Sequence, residues 1–168
     1  MIQEGIKKAN IFGYSMGGYV GLHLSKNYPG LVNKIFTLGT KFDWTPESSA
    51  REVKMLNPEK IEEKVPQFAN LLKERHYPIE WKAVLRKTAD MMHRLGNGEG
   101  LSPDQFSEIR HDVTISVGEE DNMVSIEESK VVSDQLNNGV FKTFASFEHP
   151  IEKVNQLELV NNLIEFFE

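Results

Sequence analysis

Asn10-Ile11-Phe12-Gly13-Tyr14-Ser15-Met16-Gly17-Gly18 is the stretch on which the reading of the whole chain depends. A short apolar run, Ile11-Phe12, meets a serine flanked at two-residue spacing by Gly13 and Gly17. A helical pattern from Tyr19 to Tyr28 follows at once. This is Gly-x-Ser-x-Gly in a strand–turn–helix setting, the arrangement that turns a serine into a nucleophile. A strand reversing straight into a helix forces the serine into strained dihedrals and brings neighbouring chain too close for a Cβ, which is what the glycines are expected to relieve. The hydroxyl then stands clear of the sheet at the positive end of the new helix, where an oxyanion can be held. Three glycines alone would serve any tight turn; the strand before and the helix after give these a further meaning.

Outward from this point, Val20, Leu24 and Tyr28 form the helical stripe, ended by Pro29-Gly30. Lys34 to Gly39 reads as a second buried strand. Residues 43–110 change character, with three amphipathic helices and few strand signals. Asn57-Pro58 opens one as N-cap and first turn, with a stripe of Ile61, Val65, Phe68 and Leu72 and a kink expected at Pro66. Trp81, Val84, Leu85, Thr88, Met92 and Leu95 mark the next, closed by Gly96. Ser102-Pro103-Asp104-Gln105 is a capping box. The glycines at 96, 98 and 100 follow a helix rather than a strand, so they read as a loop and not as a phosphate cradle. Strands return at Asp112–Gly118 and from Val140 to Phe147, separated by a helix that begins at Ser125. A terminal helix is expected over Glu152 to Phe167, with Val154, Leu157, Val160, Leu163, Ile164 and Phe167 facing inward. Met1 to Ile6 reads as a last helical turn stopping near Gly5.

Strand–helix alternation interrupted by a helical stretch predicts an α/β fold of about four mainly parallel strands carrying a helical lid. The expected divisions are 1–42 for the first two core strands and their helix, 43–110 for the lid, and 111–168 for the last two strands. The 168 residues suffice for one core. Net charge is −6 without a lysine or arginine cluster, which speaks against nucleic acid and anionic membrane as partners. With no cysteine there is neither disulfide nor thiolate chemistry. The N-terminus lacks a signal peptide's apolar core and no run approaches membrane-spanning length, so a cytoplasmic location is expected.

A serine hydroxyl needs an imidazole as base and a carboxylate to hold that imidazole's tautomer. In parallel sheets such groups sit just past the carboxyl ends of strands. Glu119-Glu120-Asp121-Asn122-Met123-Val124 follows the third strand, and Phe147-Glu148-His149-Pro150 the fourth. His23, His76 and His93 fall on helices and read as structural or exposed. No His/Asp/Glu cluster has metal-ligand spacing, so neither metal nor cofactor is expected.

Gly13-Tyr14-Ser15-Met16-Gly17-Gly18, Gly118 to Val124 and His149-Pro150-Ile151-Glu152-Lys153-Val154, in that order, resemble the α/β-hydrolase fold superfamily, in particular its small lid-bearing bacterial esterases. The resemblance runs essentially the length of the chain. It implies Ser15 as nucleophile, His149 as general base and then acid, Asp121 as the orienting carboxylate, and the Met16 N–H as an oxyanion donor. Glu119, Glu120 and Asp43, the last placed after the second strand, are the competing acids. Phe42, Trp44, Trp81, Met91, Met92 and Met123 are the candidates for lining a pocket between sheet edge and lid, one that would take a small ester-like substrate with an apolar group.

The resemblance also implies a large section before the elbow, including the strand beside it and a second oxyanion donor. The chain therefore reads as the C-terminal portion of such a hydrolase, with impaired activity on its own. Removal of one oxyanion donor typically costs ~10²–10³ in rate. The elbow strand is then expected to be an open edge, covered either by a separate N-terminal fragment or by a second copy as a homodimer. The competing function class is a catalytically inactive, hydrolase-derived protein serving oligomerisation or ligand binding.

Overall fold

The computed structural model describes residues 5–168, so the expected turn at Met1–Ile6 lies largely outside the described residues. Four strands form one sheet in the order β1-β2-β3-β4: β1 (Ala9–Tyr14), β2 (Val32–Leu38), β3 (Asp112–Gly118) and β4 (Gly139–Phe144). All three pairings are parallel, as predicted. In-register partners Gly13, Thr37, Ile115 and Phe141 make one row across the sheet. With every strand running the same way, the residues after Tyr14, Leu38, Gly118 and Phe144 gather along a single edge, and that is what positions the site.

The chain divides into two compact units. One consists of the chain up to Phe42 together with Leu101–Glu168; the other is Asp43–Gly100. In the first unit, α1 (Met16–Asn27) and α7 (Ile126–Gln135) cover one face of the sheet. Leu22, Val132 and Leu136 from these helices pack with Ile35, Val113 and Ile115 from the strands. Parallel strands are buried on both faces, and β3 accordingly reads as an almost continuous buried run. The other face is covered by α8 (Gln156–Phe167), whose Leu159 joins Phe36, Leu38, Phe144 and Phe147. Two buried hydroxyls are satisfied within the sheet: Ser116 Oγ donates to Thr37 O, and Thr37 Oγ1 to Thr114 O.

Helix α6 (Pro103–Ser107), which starts at the expected Ser102 capping box, belongs to this sheet unit. Phe106 and Ile109 are buried in its core, so the second unit stops at Gly100, short of the expected 110. Strand β4 ends at Phe144, and the following turn brings Phe147 back to stack on Phe144 at 4.3 Å between ring centroids. The inward stripe expected over Glu152 to Phe167 holds for Val154, Leu163 and Phe167 and is corrected for Leu157, Val160 and Ile164. A 3₁₀ turn at Ile151–Lys153 precedes α8, which begins afresh behind the Asn155 cap. The fresh start resets the helical phase: Leu159, Leu163 and Phe166 face the sheet, while Leu157 is 71% exposed and Val160 and Ile164 also face outward.

The unit Asp43–Gly100 is helical: α2 (Pro46–Val53), α3 (Pro58–Lys64), α4 (Pro66–His76) and α5 (Trp81–Arg94). A Thr45/Ser48 capping box starts α2. Pro66 does not kink one long helix; it separates two. Val65 sits at φ −138°, ψ 59°, outside the helical region that a following proline disfavours, and Pro66 takes the first turn of α4. Helix α5 closes at Arg94 with Leu95 as its cap, next to the expected Gly96, and the backbone leaves helical dihedrals at Asn97 and turns at Gly98, with φ 91°. The glycine at 96 serves space instead: a Cβ there would lie 2.3 Å from Ser49 Oγ. Ile61, Ala69, Leu72, Trp81 and Leu85 form this unit's own core.

Candidate active site

Ser15 sits at φ 51°, ψ −123°, the one non-glycine residue with positive φ among the described residues. This is an unfavourable region for an L-residue and is held only when the surroundings over-determine it. Three bonds do so here. Ser15 N–H donates to Leu38 O at 2.8 Å, and Ser15 O accepts from Gly18 N–H at 3.1 Å and from Thr40 Oγ1 at 2.9 Å. The glycines divide in a way the spacing alone does not show. A Cβ on Gly13 would lie 2.5 Å from the Gly18 backbone, and one on Gly18 would lie 2.0 Å from Thr40 Oγ1. Nothing lies within 4 Å of a Cβ built on Gly17. Close approach therefore requires Gly13 and Gly18, and the expectation that Gly17 relieves crowding is corrected.

Ser15 Oγ lies 3.1 Å from His149 Nε2, and His149 Nδ1 lies 2.8 Å from Asp121 Oδ2. All three residues belong to the sheet unit. The Asp121 side chain is only 2% exposed. Burial pushes its carboxyl up, but the hydrogen bond from His149 and those from the Met123 and Val124 N–H groups outweigh it and hold it below the ordinary value. An ionised carboxylate only accepts, so Nδ1 carries the proton and the Nε2 lone pair is turned to the Ser15 hydroxyl. Met16 opens α1, and the first N–H groups of a helix have no intrahelical partner.

The two loops that carry Asp121 and His149 are tied together through the main chain. Glu119 N–H donates to Phe144 O, and Glu120 N–H to Phe147 O. A Cβ on Gly118 would collide with Phe147 O, so the loops pass in direct contact. Three further residues support the site without having been picked out from the sequence. Gly39, at φ 58°, lies against the acid–base pair: a Cβ there would be 3.0 Å from Asp121 Oδ2 and 3.3 Å from His149 Nδ1. Tyr14 donates its phenol to His149 O at 2.9 Å, its ring 5.5 Å from the imidazole. Burial, with the Glu152 and Asp121 charges, raises the Tyr14 phenol against a hydrogen bond from the Ile151 backbone, so it stays a neutral donor. Thr40 is the third, through its bond to Ser15 O. A glycine following the second strand and a tyrosine inside the motif were visible signals; their contacts, which span the fold, were not.

The competing carboxylates lie elsewhere. Glu119 accepts from Thr143 Oγ1, Glu120 is exposed, and Asp43 is exposed in the helical unit. Of the expected lining residues, Phe42 packs edge-on to Phe106 in the sheet unit's core, and Met123 is exposed there. Trp44, Met91 and Met92 are half-buried in the helical unit. Trp81 is 5% exposed in that unit's core, a packing position, and its edge borders a cleft with Pro66, Tyr77 and Pro78. Among the described residues no three His, Cys, Asp or Glu side chains converge as a metal site, and no helix is long and apolar enough to cross a membrane.

The family model for the alpha/beta hydrolase fold matches residues 3–74. An N-acyl homoserine lactone degrading enzyme superposes with a TM-score of 0.68 at 16% identity, over 99% of this chain and 70% of its own. The chain has the α/β-hydrolase fold. The 2-hydroxy-6-oxo-6-phenylhexa-2,4-dienoate hydrolase of Rhodococcus sp. strain RHA1 gives 0.66 at 22% identity, over 97% of this chain and 65% of its own. A serine hydrolase involved in carbazole degradation gives 0.67 at 20%, over 99% and 68%. The chain thus spans about two thirds of the length of those neighbours. No curated protein matches the sequence.

Proposed function

We propose that the protein is a serine hydrolase that cleaves a carboxylic ester or related acyl bond through Ser15, His149 and Asp121. The observation that carries this reading is the unbroken contact from Ser15 Oγ through the imidazole to the Asp121 carboxylate. In the first step Ser15 Oγ attacks the substrate carbonyl carbon while His149 Nε2 takes the hydroxyl proton. The carbonyl electron pair moves onto oxygen, where the Met16 N–H offers a hydrogen bond. Collapse of the intermediate breaks the bond to the leaving alcohol, which departs with the proton from Nε2. Water then attacks the acyl-serine by the same path, giving up a proton to His149 and releasing the acid and the free hydroxyl. Asp121 remains ionised throughout, holding the tautomer and the imidazolium. The neighbours include a lactone-degrading enzyme, a dienoate hydrolase and a serine hydrolase, which supports the hydrolase class and leaves the bond type to be measured.

A fluorophosphonate probe tests the reading. Expected is covalent labelling at Ser15 that vanishes in Ser15→Ala and falls by orders of magnitude in His149→Ala. A folded chain that fails to label would move the assignment to the non-catalytic class.

A further inference from the structure

The chain that leaves β2 grips Ser15 at both of its main-chain groups. Leu38 O accepts the Ser15 N–H at 2.8 Å, and two residues on, Thr40 Oγ1 donates to Ser15 O at 2.9 Å. Thr40 is 1% exposed, so its hydroxyl depends on that bond. Ser15 O also accepts the Gly18 N–H at 3.1 Å, and both lone pairs of this carbonyl are then in use. Room for the hydroxyl is kept by a glycine: a Cβ on Gly18 would lie 2.0 Å from Thr40 Oγ1. All of these residues belong to the sheet unit.

The carbonyl of Ser15 and the N–H of Met16 are parts of one peptide unit. A trans peptide is planar, with its C=O and N–H on opposite sides, so whatever holds the oxygen also aims the N–H. Ser15 has ψ −123°, whereas a relaxed left-handed residue has ψ of about +47°. A peptide freed from its anchors would relieve strain by turning toward the relaxed value, swinging the Met16 N–H well away from its present direction.

We propose, on the serine-hydrolase reading of this site, that Thr40 is a positioning residue for the reaction: by holding the Ser15 carbonyl it aims the Met16 N–H at the substrate oxygen on which charge develops. Hydrogen bonds in a chain strengthen one another, so donation into the carbonyl also makes the Met16 N–H a better donor. Thr40 takes no part in proton transfer; its own proton stays on Oγ1 throughout. A hydroxyl that merely filled the core would leave this amide unaffected, and that difference can be measured.

Thr40→Val keeps the shape of the side chain and removes the donor. Expected is fluorophosphonate labelling of Ser15 slowed about tenfold, a part of the ~10²–10³ that loss of a whole oxyanion donor costs. Thr40→Ser restores the hydroxyl and should label within about twofold of the native rate. Thr37→Val is the control. It removes another buried bond, from Thr37 Oγ1 to Thr114 O, and should lower stability without slowing labelling. The pH dependence of labelling should stay native in all three, because the bond lost does not involve His149 or Asp121. NMR reads the peptide itself: the Ser15 carbonyl carbon and the Met16 amide nitrogen should move upfield in Thr40→Val and stay in place in Thr37→Val. Labelling of Thr40→Val at the native rate overturns the proposal, as do unmoved Ser15 and Met16 resonances. A Thr40→Ser protein as slow as Thr40→Val overturns it too. Should the native chain fail to label, the hydrolase reading falls by itself, and the two resonances still decide whether Thr40 sets this peptide.

Discussion

Gly39 carries a steric burden that its position in the sequence does not advertise. It combines a left-handed backbone with a place where a methyl group would press on both Asp121 Oδ2 and His149 Nδ1. Gly39→Ala is therefore expected to cost about 1–3 kcal/mol of stability from the backbone alone and, by prising the pair apart, to slow probe labelling of Ser15 out of proportion to that loss. Chemical denaturation and labelling rate, measured side by side, separate the two effects. Tyr14→Phe keeps the ring beside the imidazole and removes the bond to His149 O. A loss of about 1 kcal/mol is expected, with slower labelling as the His149 loop loosens. Asp121 gives a pH signature. Its folded value lies below the ordinary carboxylate value of about 3.9, so its contribution to stability is fully present above that unfolded value and is lost as pH falls through the lower, folded one. The stability difference between the native protein and Asp121→Asn should be constant from neutral pH down to the ordinary carboxylate range and shrink below it, as acid titrations of unfolding will read. At this scale the convergence of Ser15, His149 and Asp121 was legible in the sequence. A nucleophile motif and the ends of strands are local signals, whereas Gly39, Tyr14 and Thr40 act through contacts between residues far apart in the chain.

At the scale of elements, the turn after β4 does more than end a strand. Phe144 and Phe147 stack in parallel, both almost fully buried, and the carbonyls of the same two residues accept the N–H groups of Glu119 and Glu120. The aromatic pair thus fixes the distance between the acid loop and the base loop. Phe147→Ala is expected to cost about 3–5 kcal/mol, and the His149–Asp121 contact should loosen in the surviving folded fraction. The proton resonance of His149 Nδ1–H reads that contact directly. The strands and the extents of α1 and α7 could be read because each is pinned by a turn signal next to it. The stripe expected for α1 is corrected: Val20 and Tyr28 are exposed, and Tyr19, Leu22 and Ser25 are buried instead, among close-packed glycines that carry no apolar signal. In α8, Leu157, Val160 and Ile164 read as inward because the 3₁₀ turn at Ile151–Lys153 continues the apolar pattern without continuing the helix. The split at Pro66 is hidden in the sequence for a related reason: the apolar stripe runs through Val65 although the backbone there is not helical.

For the molecule as a whole, the division into two units is sharper than the boundaries read from composition. Ser15, Asp121 and His149 all belong to the sheet unit, and the helices of Asp43–Gly100 are joined to it between β2 and β3. Phe42 and Leu101, the residues on either side of that excursion, both pack against one cluster of the sheet core. The helical unit has its own core around Trp81, Leu72 and Ile61. Replacing residues 43–100 with a short glycine–serine linker should leave a cooperatively unfolding sheet unit that retains the downfield His149 resonance. Loss of that resonance would mean that the helices hold up the acid–base pair.

The shared anchorage of Phe42 and Leu101 also has an evolutionary side. A segment that leaves and rejoins the scaffold at one spot is a cassette: recombination can exchange it, or drift rewrite it, while the contacts among Ser15, His149 and Asp121 stay under separate selection. Diversity among descendants of such a gene should accumulate between those two anchors first.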